Sequence, residues 1–458
     1  MKKTTSWTWA SSPGNPFILR SLVLGLVLTA GAARVAAQAP AIDTAKARQY
    51  FAEAKALSGK DNGALWKVQL CGPLLFVDPA TRYAVANQAD AEGKLKPLDA
   101  VFAGTAPEEL GFANTALKWA GVEWTMVMWP LPQYEQPRLR LMLHECFHRV
   151  QSQIGLNPAD AQNGHLDSLA GRIWLQMEWR ALEHAYWQQG QERKRDIADA
   201  IYFRDYRRSF FPAATANENA METHEGMAEY TGFKLSTSLP EEYAVQVAAW
   251  LRAAPTRTPS FGRSFAYTSG PAYGGLLDAA GKNWRAGLTP AANLGQLLAA
   301  AYGVQVPAAL DKAEAMRRAE RYNGAEVVAI ETEREATHQS QVAAARKLFV
   351  DGPILVLPAG QEFNFTFDPN AVLALDDKLT LYEGEIKVTD QWGVLKATEG
   401  VVIVRENGRF VRAQVPAPAD VSKTPLTGTG WTLTLKPEWQ AAPEGRAGDL
   451  VLKRKSNP

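Results

Sequence analysis

The stretch His144-Glu145-Cys146-Phe147-His148 decides how the chain is interpreted, because its flanking residues have the marks of a helix. Pro137 suits a first helical position, apolar residues recur at helical spacing, and Gly155 followed by Pro158 indicates where the helix ends. Two histidines four residues apart lie on one helix face, so both imidazoles can bind one Zn²⁺. Glu145 could then act as general base toward a water on that ion.

Chance is a poor explanation for this pattern. The chain has 6 histidines in 458 residues, so a random H-E-x-x-H has a probability on the order of one in a hundred or less. The alternative interpretation is an exposed polar helix face, and zinc ligation is favoured over it.

A catalytic zinc needs a third protein ligand, and the sequence offers Glu178, the pair Glu183-His184, and Glu225. Glu225 is the preferred candidate because its segment has helix signals of its own, with Asn219 and Glu222 as a capping pair and Gly232 as the stop. Gly226 is expected to allow a close approach to the first helix. Glu229, four residues on, could accept a hydrogen bond from a zinc-ligating histidine.

At these two motifs the chain resembles the gluzincin metallopeptidases, in which H-E-x-x-H is followed on a later helix by a glutamate ligand. The matching residues are His144-Glu145-x-x-His148 and His224-Glu225-Gly226-Met227-Ala228-Glu229-Tyr230. The resemblance implies that His144, His148 and Glu225 are zinc ligands and that Glu145 is the base. It covers about a dozen residues, and the 76 residues between His148 and Glu225 predict one or two inserted helices.

Other residues are weaker candidates for a role in catalysis or substrate binding. Gluzincins commonly stabilise the oxyanion with a tyrosine or histidine, and Tyr267 at a predicted loop-to-helix boundary is the candidate here, with Tyr273 a lesser one. The alternative for both is aromatic packing. His224 could orient substrate, although a lone helical histidine is more often structural. The strand 122–129 is expected to be an edge strand that pairs with extended substrate, or else an ordinary core strand.

The N-terminus has the composition of a secretory signal. Residues 1–37 contain four basic residues and no acidic ones, with an apolar run from Phe17 to Ala30 and a small-residue cleavage site ending at Ala37. We therefore predict a secreted or periplasmic protein with no stable membrane span after cleavage; an uncleaved anchor is the minority alternative.

Charge and cysteine content exclude some classes of protein. Without residues 1–37 the chain has 45 basic against 48 acidic residues, a net charge of −3, so electrostatics gives no case for nucleic-acid binding. The two cysteines, Cys71 and Cys146, are too few for a disulfide scaffold. Cys146 is expected to be a small buried residue.

The pattern of apolar and turn residues predicts an α+β protein. After the signal at 1–37, a zincin-like metallopeptidase domain is expected at 38–347, with a small antiparallel sheet (strands at 74–77, 83–86 and 122–129) and a helical bundle. A β-rich, sandwich-like domain is expected at 348–458, with a hairpin turn at Asn407-Gly408.

The sequence thus predicts a secreted zinc-dependent metallopeptidase, with Zn²⁺ as cofactor and a peptide or protein as substrate. Two alternatives remain open: a catalytically inactive zinc-containing binding protein, and a zinc hydrolase of a non-peptide bond.

Overall fold

The computed structural model describes residues 42–455, apart from 109, 160, 282, 306, 308 and 368–370. The predicted signal at 1–37 lies outside the described residues. These described residues belong to one compact unit. Among the residues that are described, no helix is both long enough and apolar enough to cross a membrane.

The described residues form helices α1–α11 and strands β1–β18. The helices are α1 (Thr44–Asp61), α2 (Glu135–Gln151), α3 (Leu169–Trp187), α4 (Gly190–Arg208), α5 (Ala214–Met221), α6 (Met227–Ser236), α7 (Pro240–Arg257), α8 (Ser264–Ala279), α9 (Leu294–Tyr302), α10 (Lys312–Ala319) and α11 (Gly324–Arg346). The strands are β1 (Leu74–Val77), β2 (Tyr83–Ala86), β3 (Lys96–Leu98), β4 (Val101–Thr105), β5 (Thr115–Trp119), β6 (Val122–Met128), β7 (Ile354–Pro358), β8 (Asn364–Thr366), β9 (Val372–Ala374), β10 (Leu379–Tyr382), β11 (Ile386–Asp390), β12 (Gly393–Ala397), β13 (Val401–Glu406), β14 (Arg409–Pro416), β15 (Leu426–Gly428), β16 (Trp431–Leu435), β17 (Trp439–Pro443) and β18 (Leu450–Arg454).

The N-terminal sheet has the strand order β3-β4-β2-β1-β6-β5. The predicted hairpin is confirmed, since β1 and β2 pair antiparallel. Because β1 and β6 pair in parallel, the sheet is mixed and not purely antiparallel as expected. The expectation that 122–129 is an edge strand is wrong: β6 hydrogen-bonds to β1 on one side and to β5 on the other. The alternation of its residues indicated a strand but could not reveal its neighbours.

Helix α2 carries the H-E-x-x-H residues and packs against β5, β6 and α6. It begins two residues before Pro137, and a short 3₁₀ turn leads to Gly155, whose φ of 78° ends the helix in the left-handed region, as predicted. Helices α3 and α4 form the insertion that the long spacing between the motifs predicts.

The strands after residue 353 form two sheets that share one hydrophobic core. One has the order β17-β18-β7-β14-β13-β10-β9 and the other β15-β16-β12-β11-β8. Apolar side chains from both sheets, such as Ile403 and Val388, meet in that core, as in a sandwich. The predicted turn Asn407-Gly408 joins β13 to β14 with φ of 50° and 76°.

The α+β class is therefore confirmed, whereas the zincin-like identity of the helical part remains a prediction. The predicted domain division near residue 347 also remains a prediction. The helical core extends to Val327, and the core shared by the two C-terminal sheets begins at Leu355.

A disulfide joins Cys71, just before β1, to Cys146 in the middle of α2. Cys146 is fully buried, as expected, but its interpretation as a free packing residue is wrong. The bond ties the helix of the two histidines covalently to the N-terminal sheet. The 75-residue separation leaves no local sign of the pairing.

Candidate metal centre

His144, His148 and Glu225 converge on one point between α2 and the helix that follows α5. The two Nε2 atoms lie 3.0 Å apart, and each lies 3.4 Å from Oε2 of Glu225. The ligand atoms of this triad lie within 4.8 Å of one another, as a metal site requires. Two imidazoles and one carboxylate form a donor set typical of catalytic zinc.

The other nitrogen of each histidine is occupied, which directs Nε2 toward the shared point. Nδ1 of His144 lies 2.7 Å from Oε2 of Glu229, and Nδ1 of His148 lies 2.9 Å from Oε1 of Gln151. Arg140 in turn contacts the second oxygen of Glu229 at 3.3 Å. Glu229 therefore lies where the sequence predicts, next to a candidate ligand, and both rings are fixed in orientation.

Glu225 lies in a π-helical turn, Glu222–Gly226, between α5 and α6. The predicted helix ends were wrong here: the helical segment begins at Ala214, which leaves Asn219 inside it, and it continues to Ser236. A turn of this kind inside a helix often marks a functional site.

Two glycines of this segment allow close helix packing, but with different partners. A Cβ on Gly226 would lie 3.1 Å from atoms of Ala266 and Gly270 in α8, so the expectation that Gly226 faces α2 is wrong. A Cβ on Gly232 would lie 2.7 Å from the carbonyl oxygen of Arg140. Gly232 is therefore not the helix stop but the contact with α2 that brings Glu225 to the histidines.

Charge around the triad is unusual because the carboxylates are buried. Burial would lower the pKa of His144, but hydrogen bonds to Glu225 and Glu229 outweigh it and raise the pKa to about 10. Burial would raise the pKa of Glu225, but its contacts with the two histidines keep that pKa well below its usual range. Among the described residues, Oε2 of Glu225 contacts the two Nε2 atoms at 3.4 Å and has no hydrogen bond outside the triad.

Glu145 lies beside the triad and is 4 % exposed. Its Oε2 is buried with no hydrogen-bond partner among the described residues. Burial raises the pKa of this carboxyl, which makes it a better proton acceptor than an exposed glutamate. A buried carboxylate oxygen without a hydrogen-bond partner destabilises the folded state unless a cation or a water binds it.

Tyr267 and Arg263, both from the start of α8, form the side of the centre opposite α2. The Tyr267 ring stacks on His144 at 5.4 Å, and its hydroxyl hydrogen-bonds with Glu225 and Arg263. Burial and the nearby Glu225 charge raise the pKa of Tyr267, which keeps the hydroxyl protonated as a donor. Arg263 Nη2 lies 2.5 Å from Oε1 of Glu225.

The other predicted candidates lie elsewhere. Glu178 belongs to a buried arginine–glutamate network behind the π turn, whose members are Arg204, Arg207, Arg208, Glu178, Glu218 and Glu222. Glu183 pairs with Arg252, and the His184 ring packs on Tyr322. Tyr273 donates to Glu178 at 2.8 Å and so belongs to the network. None of these described side chains joins the triad.

His224 lies at the rim of the centre. Its ring is 5.1 Å from that of His148, and its Nδ1 is 3.9 Å from Oε1 of Glu225.

Sequence reasoning missed Arg140, Gln151 and Arg263. Arg140 is four residues before His144, and Gln151 is three after His148, so both lie on the histidine face of α2. That spacing could have identified them. Arg263 is 38 residues from Glu225, and no local pattern marks it.

Comparisons of the chain with known protein families, with curated proteins and with solved structures found no match.

Proposed function

We propose that this chain is a zinc-dependent peptidase of the type that its two motifs resemble. The single observation that carries the proposal is the convergence of His144 Nε2, His148 Nε2 and Oε2 of Glu225 on one point. A His₂Glu set leaves a position open, as catalytic zinc sites do and structural ones do not. When bound there, zinc would polarise the substrate carbonyl and lower the pKa of a water.

Glu145 has the position and chemistry of the general base. Its buried, unpartnered Oε2 can accept a proton from the attacking water and then pass it to the leaving amine. The raised pKa of this carboxyl favours that exchange at neutral pH. A purely structural metal site would have no use for an unpaired buried carboxylate at this place.

Tyr267 is the proposed oxyanion donor. Its hydroxyl lies beside Glu225 with the ring fixed against His144, so it could exchange its hydrogen bond with Glu225 for one to the carbonyl oxygen of a substrate. Such a donor contributes about 3 kcal/mol to transition-state stabilisation. Arg263 adds positive charge at the same place and holds Oε1 of Glu225, which leaves Oε2 for the metal.

The decisive experiment is Glu145→Gln. Purified wild-type chain should contain about one zinc per chain by elemental analysis and should cleave an unfolded protein such as β-casein. Glu145→Gln should retain the zinc and lose cleavage by about 100-fold or more, because it removes the proton acceptor but no ligand.

The outcomes separate the rival functions. Wild-type cleavage by Glu145→Gln would overturn the mechanism, and a chain without zinc would overturn the metal centre. Zinc without cleavage of any protein would favour the inactive binding protein, or a zinc hydrolase acting on another bond.

A further inference from the structure

A large cleft adjoins the metal centre on the side of Tyr267 and Arg263. Its volume is about 1420 Å³, and its wall continues from these two residues along α11 to strand β9. Pockets for small molecules have volumes of about 300–1,000 Å³. The cleft therefore has room for a longer, chain-like ligand, and the C-terminal sheet forms its far wall.

Strand β9 has one edge that pairs with no other described strand. In the described part of the chain it is the last strand of its sheet, paired with β10 alone. Glu383 N donates to Ala371 O at 2.9 Å, and Leu375 N donates to Leu379 O at 2.8 Å. Since alternate residues of an antiparallel strand face the partner, the N–H and C=O groups of Val372 and Ala374 point away from β10.

The strand is anchored on one face and open on the other. Leu373 is buried in a cluster with Val402, Val404 and Phe349, which fixes β9 against its sheet and the end of α11. Val372 and Ala374 are exposed and line the cleft. A fixed edge strand with outward donors and acceptors is a template for pairing with another extended chain.

The charges of the cleft have mixed signs. Glu333, Glu335 and Glu383 line it together with Arg263 and Arg334. A wall of this kind does not select a strongly acidic or basic ligand, whereas main-chain pairing is indifferent to side-chain charge.

We propose that the cleft binds an extended, unfolded segment of polypeptide as an additional strand on β9. The added chain would pair with the outward N–H and C=O groups of Val372 and Ala374, and its continuation would reach the metal centre past Arg263 and Tyr267. The inference rests on the proposed peptidase function and specifies its substrate: unfolded polypeptide of broad sequence, recognised through the backbone. It assigns to the C-terminal sheet a role in substrate binding.

Proline at position 374 tests this directly. Ala374→Pro removes an N–H that points away from β10, so it should block pairing on the cleft side without breaking the β9–β10 ladder. Val372→Pro, at the other outward position, gives a second variant if the first proves unstable. Both are to be checked by urea unfolding, where an unchanged midpoint shows that the fold is intact.

The matched control is Ala441→Pro in β17, at the opposite end of the same sheet. Lys455 N donates to Glu438 O at 2.8 Å, so Ala441, three residues on, also points its N–H away from the neighbouring strand. The natural Pro443 lies in the same orientation. Ala441 is not part of the cleft wall.

Binding is measured in the Glu145→Gln background, with fluorescently labelled β-casein and anisotropy as the readout. We expect the Kd to rise about fivefold or more for Ala374→Pro, as the loss of one or two hydrogen bonds implies, and to stay unchanged for Ala441→Pro. With active enzyme, Ala374→Pro should raise the KM for β-casein and leave kcat unchanged. Equal affinity for β-casein in Glu145→Gln alone and in Glu145→Gln combined with Ala374→Pro or Ala441→Pro would overturn the inference. A failure of Glu145→Gln alone to bind β-casein would also overturn it.

Failure of this inference can be distinguished from failure of the proposed function. If wild type cleaves β-casein and Ala374→Pro has the same KM, the peptidase stands and strand addition on β9 falls. If β-casein binds and Ala374→Pro weakens that binding, but wild type never cleaves it, the binding mode stands and the peptidase falls.

Discussion

The metal centre and the arginine–glutamate network are two buried clusters of charge, one at each side of the same helical segment. In the network, three arginines face three glutamates, and every carboxylate oxygen of Glu178, Glu218 and Glu222 accepts a hydrogen bond. In the metal centre, Glu145, Glu225 and Glu229 face Arg140 and Arg263. There, among the described residues, Oε2 of Glu145 has no hydrogen-bond partner, and Oε2 of Glu225 contacts only the two histidine Nε2 atoms.

The difference indicates what each cluster is for. A buried carboxylate without a partner costs several kcal/mol, so its persistence in a folded protein needs an explanation. In the network the arginines and glutamates balance one another's charge, so its role is to stabilise the fold. In the metal centre the two arginines leave one of the three carboxylates unbalanced unless His144 is protonated, and a divalent cation held by neutral imidazoles would supply that positive charge instead. The next three experiments test this contrast, from the largest expected effect to the smallest.

Arg207→Met should cause the largest loss of stability. Arg207 is fully buried and bonds to both Glu178 and Glu218, so its removal leaves two buried carboxylates without their main partner. We expect the free energy of unfolding to fall by about 3–5 kcal/mol, as measured by urea unfolding. The control is Arg317→Met, because Arg317 is 67 % exposed and pairs with Glu314 at the surface; that change should leave the free energy of unfolding nearly unchanged. Similar losses in both variants would refute the structural role of the network.

Glu225→Ala should lower the affinity for zinc, whereas Glu178→Gln should lower the stability of the fold. Removal of the third ligand should weaken zinc affinity by at least about 100-fold, since loss of an outer partner alone costs 10–100-fold. Glu178→Gln should keep the zinc but lower stability, because Glu178 bonds to Arg204 and Arg207. A competition assay with a chromogenic chelator measures the first effect and urea unfolding the second. If zinc is lost from Glu178→Gln and retained by Glu225→Ala, the assignment of the third ligand is wrong.

Glu229→Gln should have the smallest effect of the three. It keeps the shape but removes the charge that holds Nδ1 of His144 at 2.7 Å, so zinc affinity should fall by about 10–100-fold. The same chelator assay applies. Glu326→Gln is the control, since Glu326 is 49 % exposed and pairs with Arg180 away from the centre. An unchanged affinity in Glu229→Gln would mean that packing alone orients the ring.

Sequence alone predicted the parts of this protein that local patterns determine. The helix of His144 and His148, its end at Gly155, the hairpin of β1 and β2 and the turn at Asn407-Gly408 follow from short-range periodicity and turn chemistry. The motif around Glu225 likewise pointed to the triad that the fold brings together. The function assigned to that triad remains a prediction.

What the sequence could not predict depends on contacts between distant residues. The partners of β6, the bond between Cys71 and Cys146 and the contact of Arg263 with Glu225 all join separate segments. Helix α9 and nine strands of only three to five residues were not predicted either, namely β3, β4, β5, β9, β11, β12, β15, β17 and β18. Asn219 and Gly232 were misjudged for a related reason: their roles come from contacts with Arg208 in α4 and Arg140 in α2, which override local capping preference.

The π turn has a consequence for the rotational phase of its helix. Glu222 and Glu229 are seven residues apart, and in an unbroken α-helix they would point within about 20° of each other. One extra residue in the turn changes that angle to about 120°, so Glu222 can face Arg204 while Glu229 faces His144. An uninterrupted α-helix over the same seven residues would place both carboxylates on one side. The helix could then satisfy the network or the metal centre, but not both.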